Sequence, residues 1–316
     1  MKKRVDLSNK KNIHFGDNLF FQIRKKESFL CLGLDPHLDL IPNIFQTKSK
    51  INKIVYSKEN LLIVEKFCMC IIETCINLVP AIKLQIAFFE QLGPEGLKLL
   101  SKLCRIIKKT DTICIIDAKR GDIGSTNQAY FNTFFSTQSA YPCDAITINP
   151  WLGIDSIKTF TENISCHQGL FILVHTSNPG SIDLQKKVLR NGNQVYEELT
   201  KMLKPIIRKH EGKSGLSSIG IVTGATNKKE TIKLRKELTT CPFLIPGFGA
   251  QGGSLESAKT GLIKDSGYNN IFNKGIINSS RGLCFPKNAT KSSTIKDWKK
   301  IIQNNLLKTN LDLKSY

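Results

Sequence analysis

Acidic residues are scarce in this sequence, with 26 Asp and Glu against 46 Lys and Arg, which gives a net charge of +20. Long apolar runs are also missing: no stretch approaches the roughly 18 residues that a membrane-spanning helix needs. The opening residues, MKKRVDLSNKKNIHF, are basic and lack the apolar core of a signal peptide. We therefore expect a cytoplasmic protein that does not contact a membrane.

The positive charge alone does not predict a nucleic-acid-binding protein. Attraction of polyanions or phosphorylated substrates is compatible with a charge of +20. The lysines, however, lie mostly in polar segments with few aromatic residues between them, whereas nucleic-acid grooves usually combine basic side chains with aromatic platforms. This pattern favours a solvated surface, and we expect no nucleic-acid partner.

Metal-binding signals are weak, although the chain contains ten cysteines. Most of them lie inside apolar runs such as FLCLGLD and TICIID, as expected for buried thiols in a reducing compartment. The closest group, Cys68, Cys70 and Cys75, has neither a second paired cluster nor a histidine at zinc-binding spacing. We expect no metal site.

Eight short apolar runs alternate with segments of helical periodicity. The runs are 29–34, 79–85, 112–119, 145–149, 169–176, 218–224, 242–247 and 274–279, and the clearest helical segments are 60–78, 95–108, 194–209 and 228–238. Alternation of this kind predicts parallel strands that are buried on both faces. We predict one α/β domain over residues 1–316, a single (β/α)8 TIM barrel with extra N-terminal helices. Its barrel core would span about 29–286 and a C-terminal helix about 293–307. A doubly wound open sheet is the alternative.

Polar residues follow these runs at the strand ends where a barrel carries its active site. They are Asp35, Lys83, Asp117 with Lys119, Ser177, the GFGAQGG loop and Arg281. A single aspartate at such a position is usually a turn residue or a helix cap, so the argument rests on their joint placement. Asp117 and Lys119 are two residues apart on a strand, which predicts that both side chains point to one face. Asp122 lies beyond that strand.

The GFGAQGG loop contains the pattern G-x-G-x-x-G at Gly247, Gly249 and Gly252. We do not interpret it as a dinucleotide site, because it comes late in the chain and no strand with a terminal acidic residue follows at the required distance. Glycines after the seventh strand, followed by Arg281 and Gly282 after the eighth, are typical of the phosphate site of a barrel.

With these residues in place, the sequence resembles the orotidine 5'-phosphate decarboxylase family from about residue 30 to 286. The motifs that carry the resemblance are GLDP (33–36), AIKLQIAFFE (81–90), DAKRGDIGST (117–126), TINPWLG (147–153), TSNPGS (176–181), PGFGAQGG (246–253) and NSSRG (278–282). The DAKRGDIGST form is similar to the branch found in several bacteria and apicomplexan parasites. The resemblance implies cofactor-free decarboxylation of orotidine 5'-monophosphate (OMP) to uridine 5'-monophosphate (UMP).

The resemblance also implies a role for each matched residue. Lys83, Asp117, Lys119 and Asp122 would form the catalytic array, with Lys119 as proton donor. Asp122 and Thr126 would reach the site of a second subunit, so a homodimer is implied. Other matched residues would bind the substrate: Asp35 and Lys83 the ribose, Ser177 the pyrimidine, and Gln251, Arg281 and the Gly282 backbone the phosphate. Gln85 stands where family members often carry asparagine, and it would contact the ribose or the charged array.

Two questions stay open at this stage. The segment after Ser177 is a candidate lid, and an association with the orotate phosphoribosyltransferase that makes OMP is neither indicated nor excluded. The nearest rival is a metal-dependent sugar-phosphate decarboxylase or aldolase on the same barrel, since such relatives share the D-x-K-x-x-D pattern. Such a site needs acidic ligands for magnesium. Glu90 is the only obvious extra carboxylate near the rim, where we expect it to cap a helix or face solvent.

Overall fold

The fold is a closed eight-stranded barrel of parallel strands, described here from a computed structural model that covers residues 13–46, 50–248, 253–265 and 271–315. The strands are β1 (Leu30–Leu34), β2 (Ala81–Gln85), β3 (Ile113–Arg120), β4 (Ala145–Ile148), β5 (Gly169–His175), β6 (Ile219–Thr223), β7 (Phe243–Ile245) and β8 (Gly275–Ser279). Each strand pairs with the next, and β8 pairs with β1 through Leu30 and Ile277. The predicted barrel is confirmed, and the open-sheet alternative is wrong because the sheet has no edge.

Helices cover the outside of the barrel and alternate with its strands. They are α1 (Phe15–Lys26), α2 (Lys58–Cys75), α3 (Ala87–Glu90), α4 (Gly93–Lys108), α5 (Gly124–Phe135), α6 (Ile154–Thr161), α7 (Ser181–Leu184), α8 (Val195–Lys209), α9 (Lys228–Glu237), α10 (Leu255–Lys259), α11 (Arg281–Cys284) and α12 (Ile295–Ser315). Within the described ranges, none of the helices is long and apolar enough to span a bilayer.

The strands form because their residues are apolar on both faces. Every residue of β1 and β6 is buried, as it must be when helices pack outside and side chains fill the interior. At the N-terminal end of the barrel, α1 places Phe15 against Phe171 with their rings 6.1 Å apart. A Cβ at Gly169 would lie 2.4 Å from the Phe15 ring, so glycine makes this contact possible. Helix α1 therefore packs closely against β5 at this end of the barrel.

Two long intervals between strands, residues 35–78 and 177–217, contain helices in addition to the regular alternation. Residues 35–78 include two short 3-10 turns and α2, whose N-terminus is capped by Ser57. The interval after β5 contains α7 and α8, and an ion pair of 2.6 Å between Lys186 and Glu230 ties the segment before α8 to α9. Both intervals begin at the C-terminal end of the barrel, next to the candidate site.

Candidate active site

A cavity of about 620 Å³ opens at the C-terminal ends of the strands. The residues lining it are Asp35, His37, Lys83, Gln85, Phe88, Asp117, Lys119, Thr147, Leu173, Thr176, Ser177, Asn178, Val222, Leu244, Pro246, Gly247, Phe248, Asn278, Ser280 and Arg281. The cavity thus brings together polar residues from the ends of five different strands, as the sequence predicts, namely Asp35, Lys83, Asp117, Lys119, Ser177 and Arg281.

Asp117 is the centre of the polar network in this cavity. Its Oδ2 atom accepts hydrogen bonds from Lys83 Nζ at 2.9 Å and from Gln85 Nε2 at 3.0 Å. Its Oδ1 atom accepts from Lys119 Nζ at 2.5 Å and from Thr147 Oγ1 at 2.8 Å. A carboxylate with two lysines and two neutral donors has its hydrogen-bonding capacity filled, so its position in the cavity is fixed.

The charges in this network hold one another in the ionised state. Burial alone would raise the pKa of Asp117, but the ammonium groups of Lys83 and Lys119 outweigh it and hold the pKa far below its usual range. Burial likewise would lower the pKa of Lys83, and the carboxylates of Asp117 and Asp35 reverse this and raise it. Near neutral pH, Asp117 therefore carries a full negative charge and Lys83 a full positive charge.

Lys119 adopts a backbone conformation that is rare for a residue with a side chain, with φ at +50°. The pairing of β3 with β4 shifts between Ile116 and Arg120, and the Lys119 backbone N–H donates to the side-chain Oγ1 atom of Thr147 on β4, at 2.9 Å, instead of to a backbone carbonyl. The prediction that Lys119 shares a site with Asp117 is right, but the regular alternation of a strand is not the cause. A local irregularity brings Nζ to the carboxylate, and such strain is common at functional sites.

The half of the cavity formed by β1 and β2 carries aromatic side chains beside the charges. His37 packs edge-on against Phe88 with ring centroids 4.5 Å apart, close to Asp35 at the mouth. Glu90 lies outside the cavity, where it is exposed and forms an ion pair with Arg120. It is therefore not a carboxylate of the site.

The other side of the mouth carries the residues expected to bind phosphate. Arg281 lines the cavity and begins α11, directly followed by Gly282, whose backbone oxygen accepts from Asn305 Nδ2 at 2.8 Å. Gly247, with φ at +93°, lies in the described part of the glycine-rich loop, and its oxygen accepts from Gly253 N at 3.1 Å. Gln251, Gly249 and Gly252 lie outside the described residues.

Ser177 lines the cavity at the start of the segment predicted to contain a lid. Gly224 lies so close that a Cβ there would be 2.6 Å from the Ser177 Cβ atom. Gln185, just after α7, accepts from the Thr176 backbone N–H at 2.8 Å and donates to Thr176 Oγ1 at 2.9 Å. These bonds hold the end of β5 against the segment that follows it.

Among the described residues, three predicted site residues do not line the cavity of their own chain: Gly282, which follows Arg281, and Asp122 and Thr126. Asp122 lies in the loop between β3 and α5, where its Oδ1 atom accepts from Ile123 N at 2.8 Å. Thr126 is exposed on the first turn of α5. The chain by itself thus brings together three members of the expected array and leaves Asp122 outside.

The sequence reasoning missed six polar cavity residues, namely His37, Thr147, Thr176, Asn178, Asn278 and Ser280. All six lie inside or directly beside the quoted motifs GLDP, TINPWLG, TSNPGS and NSSRG. Thr147 and Asn278 interrupt apolar strands near their C-terminal ends, which is the signal that identified Lys83 and Asp117. A polar side chain at such a position needs a partner inside the barrel or a ligand.

A (β/α)8 barrel with paired lysines and aspartates, an arginine and a glycine-rich loop at its C-terminal end defines a class of enzymes that act on anionic substrates. Residues 28–292 match the orotidine 5'-phosphate decarboxylase / HUMPS family, so the chain belongs to that family. The orotidine 5'-phosphate decarboxylase of Clostridium tetani is 36% identical over 298 residues, which are 94% of this chain and 96% of that protein.

Solved structures show the same relationship. A homologue from Streptomyces avermitilis has a TM-score of 0.75 at 26% identity, covering 98% of this chain and 99% of its own. The UMP synthase of Leishmania donovani has a TM-score of 0.67 at 30% identity, with 93% of this chain matching 57% of that one.

Proposed function

We propose that this chain decarboxylates OMP to UMP and carbon dioxide, with Lys119 stabilising a carbanion at C6 of the pyrimidine and then protonating it. The observation that carries the proposal is the network around Asp117, which holds Lys119 Nζ at 2.5 Å on a buried, ionised carboxylate. Membership of the family supplies the reaction. We propose that the chain needs neither a metal ion nor an organic cofactor.

The chemistry explains why a fixed cation is required. When the bond between C6 and the carboxylate breaks, carbon dioxide leaves as a neutral molecule and the electron pair stays on C6. No adjacent electron sink accepts that pair, so a positive charge held at C6 lowers the energy of the transition state. The Lys119 side chain is 46% exposed towards the cavity, and its ammonium group can transfer a proton to C6 to form UMP. Lys119 then regains a proton from water.

Asp117 would contribute through its fixed negative charge. Because Lys83 and Lys119 keep it ionised, it would face the carboxylate of bound OMP as a like charge. This repulsion disappears when carbon dioxide leaves, so the interaction disfavours the bound substrate more than the transition state. Gln85, bonded to Asp117 Oδ2 at 3.0 Å, would keep the carboxylate in place.

The remaining cavity residues would bind the parts of the substrate that do not react. Asp35 and Lys83 would hold the ribose and Ser177 the edge of the pyrimidine. Arg281, the Gly282 backbone N–H and Gln251 would bind the phosphate, for which the arginine offers a bidentate donor. Binding energy from the phosphate can order the segment after Ser177 over the site and so favour the transition state.

We propose a homodimer in which Asp122 and Thr126 complete the site of the other subunit. Both lie outside their own cavity. Two large apolar side chains are exposed on the β3 and β4 loops: Ile123, next to Asp122, is 58% exposed, and Trp151, in the loop after β4, is 71% exposed. The β3 and β4 loops are neighbours, because the Asn149 backbone N–H donates to Arg120 O at 2.8 Å. Exposed apolar side chains at adjacent loops are typical of a surface that a second protein covers.

Mixed dimers test the shared site. In a heterodimer of Lys119→Ala and Asp122→Ala subunits, one site has both residues intact and the other has neither. Random exchange should therefore restore roughly a quarter of wild-type activity, since about half the dimers are mixed and each has one good site. Each inactive homodimer alone is the control. Confirmed subunit exchange without recovered activity would show that Asp122 does not act across the interface.

The function itself is tested by adding OMP to the purified chain in excess EDTA and following the loss of the ultraviolet absorbance of the orotate ring. Rapid loss supports the proposed metal-free reaction. Activity that appears only after a divalent cation is restored would support the rival, a metal-dependent sugar-phosphate type of site. Within the described residues, no three His, Cys, Asp or Glu side chains form a group that could hold a metal ion.

An association with an orotate phosphoribosyltransferase stays a prediction. It is motivated by the match to UMP synthase, of which only 57% is covered. Co-elution of the two purified proteins on gel filtration would support it, and separate elution at micromolar concentration would contradict it.

A further inference from the structure

The wall of the cavity between β1 and β8 carries polar atoms that lack hydrogen-bond partners. These are Asp35 Oδ1, Asn278 Oδ1 and Ser280 Oγ, each buried and without a partner among the residues that the structure describes. All three side chains line the cavity of the candidate site. Asn278 is only 8% exposed and its Oδ1 atom is buried, so bulk solvent does not satisfy this oxygen.

The backbone directs these side chains into the cavity. Asn278 pairs with Cys31 on β1, and Gly33 pairs with Lys83 on β2, whose side chain points inward. Residues two apart share a face, so Asn278 and Ser280 point inward with Cys31 and Gly33. A Cβ at Gly33 would lie 2.9 Å from the Ser280 Cβ and 3.0 Å from Asn278 Oδ1. Glycine on β1 therefore provides the space that the side chains of Asn278 on β8 and of Ser280 directly after it occupy.

Unpaired acceptors at this wall define the chemistry of the group that fits there. Burying an acceptor without a donor destabilises a fold, so such atoms are usually retained where a ligand satisfies them. Phosphate and carboxylate oxygens are acceptors and would be repelled by the Asp35 carboxylate. A hydroxyl group can donate to Asp35 or Asn278 and accept from Ser280 or from the amide N–H of Asn278. The wall is therefore suited to hydroxyl groups of a sugar.

We propose that Asn278 and Ser280 are specificity-determining residues that read the 3'-hydroxyl of the substrate ribose, together with Asp35. This inference rests on the proposed function. The 3'-hydroxyl is favoured over the 2'-hydroxyl because Ser280 directly precedes Arg281, the expected phosphate ligand. The 3'-carbon is the ring carbon next to the one that carries the phosphorylated arm, whereas the 2'-carbon lies beside the base.

The test compares kcat/KM for OMP, 2'-deoxy-OMP and 3'-deoxy-OMP in the wild type and in Asn278→Ala and Ser280→Ala. In the wild type, kcat/KM should be at least about tenfold lower for 3'-deoxy-OMP than for OMP, as expected for a lost hydrogen bond in a buried site. In Asn278→Ala, OMP turnover should fall by a similar factor. Turnover of 3'-deoxy-OMP should hardly change, so the ratio of kcat/KM for OMP to that for 3'-deoxy-OMP should approach one. The preference for the 2'-hydroxyl should stay as in the wild type.

Ser279→Ala is the matched control, because Ser279 lies on the same strand, is as buried as Asn278 and does not line the cavity. It should keep both preferences. Equal losses for all three substrates in Asn278→Ala and Ser280→Ala would indicate a purely structural role and overturn the proposal. If these variants instead lost the discrimination between OMP and 2'-deoxy-OMP, the assignment to the 3'-hydroxyl would be overturned.

Calorimetric binding of UMP, 2'-deoxy-UMP and 3'-deoxy-UMP separates this inference from the proposed reaction. If the wild type does not decarboxylate OMP, the function proposed above fails. The preference for the 3'-hydroxyl in binding, and its loss in Asn278→Ala, would still support the hydroxyl site. Equal affinity of the wild type for UMP and 3'-deoxy-UMP would refute it.

Discussion

Replacing Thr147 by valine should weaken the contacts that position Lys119 beside Asp117, without changing the shape of the barrel. The Thr147 hydroxyl donates to Asp117 Oδ1 at 2.8 Å and accepts from the Lys119 backbone N–H at 2.9 Å. Valine has nearly the same volume but makes neither bond. The bond to a carboxylate contributes about 1.5–3 kcal/mol and the bond to a backbone amide about 1 kcal/mol. The Lys119 backbone, with φ at +50°, would then lose the contact that helps to hold its strained conformation.

If half or more of this energy serves to place Lys119 in the transition state, kcat should fall by roughly 10- to 100-fold. KM should change much less, since Thr147 contacts neither the expected phosphate ligands nor Asp35. Steady-state kinetics of Thr147→Val measures this split, and Thr147→Ser, which keeps the hydroxyl, should retain most of the activity. A folded Thr147→Val variant with wild-type kcat would refute the idea that this hydroxyl positions the array.

Two further predictions concern substrate binding and acid stability. Arg281→Ala should chiefly raise KM, because the guanidinium lies at the mouth and would bind phosphate; an unchanged KM would remove it from that role. Burial lowers the pKa of His175 to about 4. Below about pH 6.5 the unfolded chain binds a proton at His175, whereas the folded chain does not until about pH 4. The free energy of unfolding should therefore fall by about 1.4 kcal/mol for each pH unit as the pH is lowered from about 6.5 to 4. Urea unfolding of the wild type and of His175→Phe should differ in this slope, and equal slopes would contradict the assignment.

The barrel could be predicted from the sequence because its strands are buried on both faces. Runs such as 112–119 and 218–224 are mainly apolar, and in the structure they form β3 and β6 with limits that differ by one residue. The common location of Asp35, Lys83, Asp117 and Arg281 followed from the same reasoning. In a parallel barrel all strand ends of one polarity meet at one rim.

The irregular features could not be predicted, because they depend on contacts between distant segments. The conformation of Lys119 depends on the shifted pairing with β4 and on Thr147, about thirty residues later in the chain. The C-terminal helix was predicted at about 293–307 but extends over Ile295–Ser315. Its last turns look polar in sequence, yet Leu313 is buried and Asn310 Nδ2 donates to Glu27 O at 3.1 Å, so packing next to the end of α1 prolongs the helix.

The central claim, that Lys119 delivers the proton to C6, is tested most directly by turnover of OMP in Lys119→Ala. The variant should keep its circular dichroism spectrum and bind UMP, since Asp117 still pairs with Lys83 at 2.9 Å. Its kcat should fall by at least about four orders of magnitude, because both the fixed cation and the proton donor are missing. Turnover of OMP at the wild-type rate by this variant, folded and able to bind UMP, would contradict the account.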